Sequence, residues 1–189
     1  MSSVSTLSMV LWILLVVLVV GVITVFLSWT AGRLDRMHIR LATAQASFDR
    51  QLIDREGCAR RVATSGVIDP ASAVVTIEAA EAAHASLGRT DRAESESALS
   101  QVLRTIFDDK AAVDELWAQC DDGQRALLTD LGDACVRVRL AQRFHDDLAT
   151  RTVAMRSRRL VRMARLAGHA PWPAQIAIDD DPPRGLLRG

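Results

Sequence analysis

The most constraining feature of the sequence is an uncharged apolar run close to its start. No Asp, Glu, Lys or Arg occurs before Arg33, and residues 9–27 are apolar almost without interruption. A helix of this length crosses the roughly 30 Å of hydrocarbon in a bilayer, and Trp29 then falls where interfacial aromatic residues are found. The run therefore predicts a transmembrane helix over residues 9–29.

A cleaved signal peptide is the alternative interpretation, because the run lies at the N-terminus. However, no Lys or Arg precedes the run, the run is longer than an ordinary signal-peptide core, and no A-x-A cleavage site follows it. These differences favour a retained anchor.

The charges that flank the run predict its orientation. Arg33, Arg36 and Arg40 follow it closely, whereas residues 1–8 carry no Lys or Arg. Because basic residues are retained on the cytoplasmic side, we expect residues 1–8 outside and the rest of the chain inside. The predicted location is the plasma (inner) membrane, which the chain crosses once.

The remainder of the chain has the composition and periodicity of helices. Tyr is absent and Ala is abundant, a bias that favours helix over sheet. Apolar residues recur at helical steps from about residue 33 to residue 63. This stripe consists of Leu34, Met37, Leu41, Ala44, Phe48, Leu52, Ala59 and Val62.

Capping signals divide the following residues into further helices. Asp69 and Pro70 predict a helix start, and Gly88 predicts its end. Asp91 and Glu94 form a capping-box-like pair at the start of a third helix. We expect Asp108 and Asp109 to interrupt or kink that helix.

A last long helix is predicted to start after Asp122 and Gly123 and to end at Gly168. Its near-heptad stripe consists of Leu127, Leu131, Ala134, Val138, Ala141, His145, Leu148, Thr152 and Met155. Residues 169–189 are rich in Pro and Asp and predict an irregular or disordered tail.

These helices predict an all-α chain. Since no isolated helix can shield its apolar stripe from water, we expect residues 33–168 to form an antiparallel bundle of three to four long helices. A parallel coiled-coil homodimer built on the membrane-proximal helix is the alternative, which the three later helices with their turn signals make less favourable.

Three segments resemble the LemA family. They are Phe48-Asp49-Arg50-Gln51-Leu52-Ile53-Asp54-Arg55, Ala93-Glu94-Ser95-Glu96-Ser97-Ala98-Leu99, and Val138-Arg139-Leu140-Ala141-Gln142-Arg143-Phe144-His145-Asp146-Asp147. The resemblance implies a short outside N-terminus, one span and a cytoplasmic helical bundle. The positions that match the motifs are Asp49, Gln51, Leu52, Arg55, Arg143, Phe144 and Asp146.

The sequence also departs from the family pattern. Phe144 and His145 replace the family's Tyr-Asn, and Arg55-Glu56-Gly57-Cys58-Ala59-Arg60 occurs where the family has Arg-x-x-Leu-Ile-Pro. The resemblance is therefore to a divergent member.

A Glu-x-x-His pair is the main candidate for chemistry. Glu81 and His84 have the spacing that puts a carboxylate and an imidazole on one helix face, as in di-iron bundles. A di-iron site needs a second such pair, but the nearest candidate, Asp35 with His38, lies at the membrane boundary, and His145 has Gln142 three residues earlier. We therefore expect a surface pair and no metal or other cofactor.

Other reaction classes have less support. A phosphorelay role for His84 or His145 is less favoured than a structural role, and at His145 the adjacent Asp146 and Asp147 would repel a phosphoryl group. Neither a Ser-His-Asp set nor a Gly-rich phosphate loop occurs, so we assign no catalytic residue. The cysteines, Cys58, Cys120 and Cys135, are predicted to be buried thiols of a reducing compartment.

A basic amphipathic segment lies near the end of the last helix. It contains Arg151, Arg156, Arg158, Arg159, Arg162 and Arg165. It either complements the helix dipole and the acidic stretch at 69–130, or adheres to anionic lipid together with Arg33, Arg36 and Arg40. Nucleic acid is disfavoured as a partner because stacking aromatic residues are missing from the segment.

The sequence thus predicts a membrane-anchored, non-enzymatic scaffold whose partners are membrane lipid and an unknown protein, with a homo-oligomer as a further option. A metal-dependent redox protein that uses Glu81, His84 and His145 is the alternative.

Overall fold

The structure is a computed structural model, and it describes residues 2–157 and 177–187. In these ranges it contains five α-helices, one 3-10 turn and no strand. The elements are α1 (Ser2–Thr64), α2 (Pro70–Ala85), α3 (Arg92–Phe107), α4 (Lys110–Gln119), α5 (Asp122–Arg156) and the 3-10 turn Arg184–Leu186. The prediction of an all-α chain is confirmed. More helices form than the predicted three to four, because Asp108 and Asp109 separate α3 from α4.

Helix α1 contains both the predicted span and the first predicted helix of the bundle. It continues through Gly32 without a break. Among the described residues, it is the one helix long and apolar enough to cross a membrane, and none of its apolar window is buried within the protein.

The chain divides into two compact units. The first consists of Met1–Leu41 and Leu148–Pro173, and the second of Ala42–Asp147 and Ala174–Gly189. Helices α1 and α5 contribute residues to both units, whereas α2, α3 and α4 belong to the second.

Two of the helix starts depend on aspartate caps. Asp69 Oδ1 accepts hydrogen bonds from the backbone N–H groups of Ala71 and Ser72, both at 3.0 Å, and Pro70 occupies the first turn of α2. Asp109 caps α4 in the same way. The predicted start at Asp69 and Pro70 is confirmed, and the interruption predicted at Asp108 and Asp109 is a complete break.

The capping box predicted at Asp91 is wrong. Asp91 precedes α3, but its side chain makes no capping hydrogen bond. Instead, its two carboxylate oxygens accept hydrogen bonds from Arg89 at 3.1 and 3.0 Å. The ion pair with Arg89 competes with the cap, and the backbone of Asp91, with φ −86° and ψ 3°, lacks the extended conformation that a cap needs.

The predicted apolar stripes form the core of the second unit. Its largest fully buried apolar side chains come from four helices and are Phe48, Leu52, Val62, Leu99, Leu103, Phe107, Val113, Leu128 and Leu131. Burial of such side chains contributes roughly 1.5–3 kcal/mol each. The stripes are therefore the main source of stability of the second unit.

The described part of the C-terminal segment packs against this core. Residues 177–187 are irregular apart from the 3-10 turn, as predicted for a tail. Nevertheless, Ile178 is buried beside Phe48, Leu52 and Val138, and Leu186 belongs to the main core. Gln142 Nε2 donates a hydrogen bond to the Ile178 carbonyl at 3.1 Å. The sequence did not reveal this packing.

Candidate functional site

The first unit contains a cavity that is lined by arginine. Its volume is about 610 Å³. The residues that line it are Trp29, Arg33, Arg36, Met37 and Arg40 of α1, and Leu148, Arg151, Ala154 and Met155 of α5. Four of them are arginines, and no Asp or Glu is among them. The cavity thus combines an apolar lining with a high density of positive charge.

The arginines of α1 are available to a ligand. Arg33, Arg36 and Arg40 are exposed, and within the described part of the chain no carboxylate lies at ion-pair distance from them. Arg36 folds back along α1, so that its Nη1 atom lies 3.6 Å from the position that a Cβ on Gly32 would occupy. Side chains of a helix tilt toward its N-terminus, which here is the direction of the apolar run.

The structure therefore brings together four of the predicted membrane-surface residues, Arg33, Arg36, Arg40 and Arg151. For Arg156 it describes the backbone only, at the end of α5. Arg158, Arg159, Arg162 and Arg165 lie outside the described residues.

A second constellation of charged residues is buried in the second unit. Arg55 of α1 donates hydrogen bonds to the Glu96 carboxylate at 2.8 Å and to Ser100 Oγ at 2.7 Å. The neighbouring Glu56 is fully buried and lies 2.9 Å from His84 Nδ1, which is about half exposed. These side chains connect α1 with α2 and α3.

Burial dominates the electrostatics of this cluster. Desolvation raises the pKa of Glu96 above its usual value, against the attraction of Arg55, and the nearby Glu56 carboxylate raises it further. A raised carboxyl pKa favours the protonated form, which can donate a hydrogen bond to a neighbouring carboxylate. The cluster can therefore hold a proton within the core of the second unit.

The positions that match the LemA motifs have different environments. In the first motif Leu52 and Arg55 are buried, Asp49 accepts a hydrogen bond from Arg92 at 2.8 Å, and Gln51 accepts one from Arg137 at 3.2 Å. The first motif is thus part of the packing of the second unit.

The last motif is placed differently, since Arg143 and Phe144 are exposed. Asp146 lies 3.2 Å from Nδ1 of the buried His145. An exposed Phe144 offers apolar surface to a partner.

The arrangement of the described residues does not support the metal-site alternative. His84 pairs with Glu56 rather than with Glu81, which is exposed, and His145 is buried. In residues 2–157 and 177–187, no group of three His, Cys, Asp or Glu side chains is arranged to hold a metal ion.

The three cysteines are free and buried. Burial raises the pKa of the Cys135 thiol to about 11, so that this thiol stays protonated at neutral pH. A protonated thiol is a poor nucleophile. Cys135 is therefore suited to packing rather than to covalent catalysis.

Sequence reasoning missed Glu56, Glu96 and Ser100. A signal was present, because the apolar stripe of α1 passes from Leu52 to Ala59 with charged residues at the intervening buried positions. Glu96 likewise occupies the turn before Leu99 on the buried face of α3. Charged residues at such positions indicate a buried ion pair.

Comparisons with protein-family models, with characterised proteins and with solved structures find no match to this chain. The fold defines an all-α protein that has one helix able to cross a membrane and a compact unit of packed helices. The resemblance to the LemA family stays a prediction from the motifs.

Proposed function

We propose that this chain is a single-pass membrane protein and that its helical bundle is a non-enzymatic scaffold at the cytoplasmic face of the plasma membrane. In this proposal, α1 is the anchor, the second unit presents surface to a protein partner or a second copy, and the first unit contacts membrane lipid. The LemA resemblance, in divergent form, supports the same arrangement.

The exposure of the apolar run is the observation that carries the proposal. Trp12, Leu14 and Val25 are 67%, 61% and 70% exposed, and their neighbours are similar. Monomeric soluble proteins rarely expose continuous apolar patches of such length, because each exposed Å² costs about 25 cal/mol in water. Lipid removes this cost, and only helices and closed barrels satisfy their backbone groups in lipid.

The anchor and its orientation are tested by fractionation and reporter fusion. We expect the full-length protein to stay in the membrane pellet after carbonate extraction. A reporter fused after Gly189 should be active if it requires the cytoplasm and inactive if it requires the outside. Release by carbonate would contradict the anchor, and the opposite pair of reporter results would reverse the orientation.

The scaffold role is tested by capture and by elemental analysis of the purified full-length protein. We expect crosslinking in intact cells to recover a reproducible protein partner or a second copy. Stoichiometric iron or manganese that is lost on Glu81→Gln or His84→Gln would instead support the redox alternative.

A further inference from the structure

We propose that the arginine-lined cavity of the first unit is a binding site for the phosphate-bearing headgroup of an anionic phospholipid. This inference rests on the proposed membrane anchor and adds to it a discrete ligand site. The site consists of Arg33, Arg36, Arg40 and Arg151 around an apolar lining that includes Trp29.

The position of the cavity along α1 matches the depth of lipid phosphates. Headgroup regions extend roughly 5–8 Å beyond the hydrocarbon on each side. At about 1.5 Å per residue, Arg33 lies roughly 9 Å and Arg36 roughly 14 Å beyond Leu27, the last residue of the apolar run. Because their side chains tilt back toward that run, both guanidinium groups reach the phosphate layer.

The chemistry of the lining matches both the phosphate of a phospholipid and the glycerol and first acyl carbons attached to it. A guanidinium group binds a phosphate with two parallel hydrogen bonds, which makes arginine the preferred residue for this anion. Trp29, Met37 and Met155 provide apolar surface of the kind that glycerol and the first acyl carbons contact. A free inorganic phosphate would use the arginines and leave the apolar surface unfilled.

The geometry also separates this cavity from a general basic surface. It has a volume of about 610 Å³ that side chains from two helices define together. Arg50 of α1 and Arg143 of α5 are exposed arginines on the same helices that do not line it. They provide a control of equal charge.

The test measures lipid binding to the full-length protein by native mass spectrometry from neutral detergent. The probes are phosphatidylglycerol, phosphatidylcholine and inorganic phosphate. The site variant is Arg36→Gln/Arg151→Gln, which leaves Arg33 and Arg40 to set the orientation. The control variant is Arg50→Gln/Arg143→Gln.

We expect phosphatidylglycerol to bind at least about tenfold more tightly than phosphatidylcholine. The site variant should lose about thirtyfold in affinity for phosphatidylglycerol, equivalent to about 1 kcal/mol for each arginine, and the control variant should bind like the original protein. Excess inorganic phosphate should leave most of the phosphatidylglycerol bound.

Equal binding of the two lipids, or equal losses in the two variants, would overturn the site. Complete displacement by inorganic phosphate would assign the cavity to a soluble phosphate instead. Carbonate extraction of the membranes from which the protein is purified separates the two proposals. Release by carbonate overturns the anchor together with the site, whereas retention combined with equal lipid binding overturns the site alone.

Discussion

Arginines in the two units of this chain have opposite environments. In the first unit, Arg33, Arg36 and Arg40 are exposed, and no carboxylate in the described part of the chain pairs with them. In the second unit, Arg55 is buried and its guanidinium group bonds to Glu96 and Ser100. All of these arginines are carried by α1.

Apolar residues show the same contrast. Those of residues 9–27 are exposed, whereas Phe48 and Leu52 of the same helix are fully buried. The second unit thus satisfies both kinds of residue internally, whereas the first unit leaves both kinds to its surroundings. Lipid and lipid phosphate are the surroundings that would satisfy both in the first unit.

The largest expected effect comes from placing charge in the exposed apolar run. Each arginine at the centre of a membrane helix costs about 2.5–3.5 kcal/mol, so Leu14→Arg/Leu18→Arg should cost about 5–7 kcal/mol in insertion. We expect the variant to leave the carbonate-resistant pellet.

The matched control is Leu140→Arg/Phe144→Arg. These two residues are 60% exposed, close to the 61% and 64% of Leu14 and Leu18, and have the same spacing on α5. This control should stay in the pellet. If both variants behave alike, the contrast between lipid-exposed and water-exposed residues is wrong.

The buried ion pair of the second unit gives the next largest effect. Removal of one partner of a buried pair costs about 3–5 kcal/mol, because the other charge is left uncompensated. Glu96→Ala, which leaves Arg55 buried, should destabilise the protein by this amount in urea unfolding of the full-length chain in detergent. Asp91→Ala, which breaks an exposed pair with Arg89, should change little. Similar midpoints for the two variants would contradict the role of burial.

A smaller effect is expected at the contact between the C-terminal segment and the core. A Cβ on Gly185 would lie 2.5 Å from the Phe107 carbonyl oxygen and 2.7 Å from Val113 Cγ2. Gly185→Ala should therefore destabilise by about 1–3 kcal/mol and speed hydrogen exchange in residues 177–187.

Gly57→Ala is the control for this change, since Gly57 lies within α1 and a Cβ there meets no atom within 4 Å. It should stabilise the chain by about 0.5–1 kcal/mol. A neutral Gly185→Ala would show that the segment does not pack as described.

The smallest effect concerns pH. The raised pKa of Glu96 means that the folded protein holds this proton at pH values where the unfolded chain has lost it. Folding stability therefore falls as pH rises from the ordinary value of 4.5 to the raised folded value, by at most about 1.4 kcal/mol per pH unit. The stability difference between the original protein and Glu96→Gln should shrink over this range.

Asp179 provides a control of opposite sign. Arg104 lowers the pKa of this carboxyl below its ordinary 3.8. The contribution of Asp179 to folding stability is therefore present above pH 3.8 and is lost as pH falls toward the lowered pKa. The difference in free energy of unfolding between the original protein and Asp179→Asn should therefore shrink as pH falls. If the differences for Glu96→Gln and Asp179→Asn changed in the same direction with pH, the assigned directions of the two pKa shifts would be wrong.

Local patterns in the sequence predicted much of this contrast. Helical periodicity identified the buried face of α1 and α5, and cap chemistry located the start of α2 at Asp69. The cap at Asp91 was mispredicted because the neighbouring Arg89 competes for the same carboxylate. The positive charge after the apolar run was likewise visible, since it depends only on spacing along one helix.

Long-range pairs were not predictable, because no local pattern specifies them. Arg55 meets Glu96 across 41 positions, Glu56 meets His84 across 28, and Arg104 meets Asp179 across 75. The cavity has the same origin, since Met155 and Arg151 of α5 complete a lining that α1 begins. Such partners follow from packing, which a single sequence does not display.

The burial of Leu186 in the main core has a consequence for biosynthesis. Leu186 belongs to the same apolar cluster as Ala59 and Phe107, so this layer closes only after residues 184–186 have left the ribosome. Residues 9–29 emerge far earlier and are available for membrane insertion while α2 to α5 are still being translated. Under the proposed membrane anchor, insertion therefore precedes completion of the core, and Phe107 and Val113 stay incompletely covered until residues 184–186 arrive.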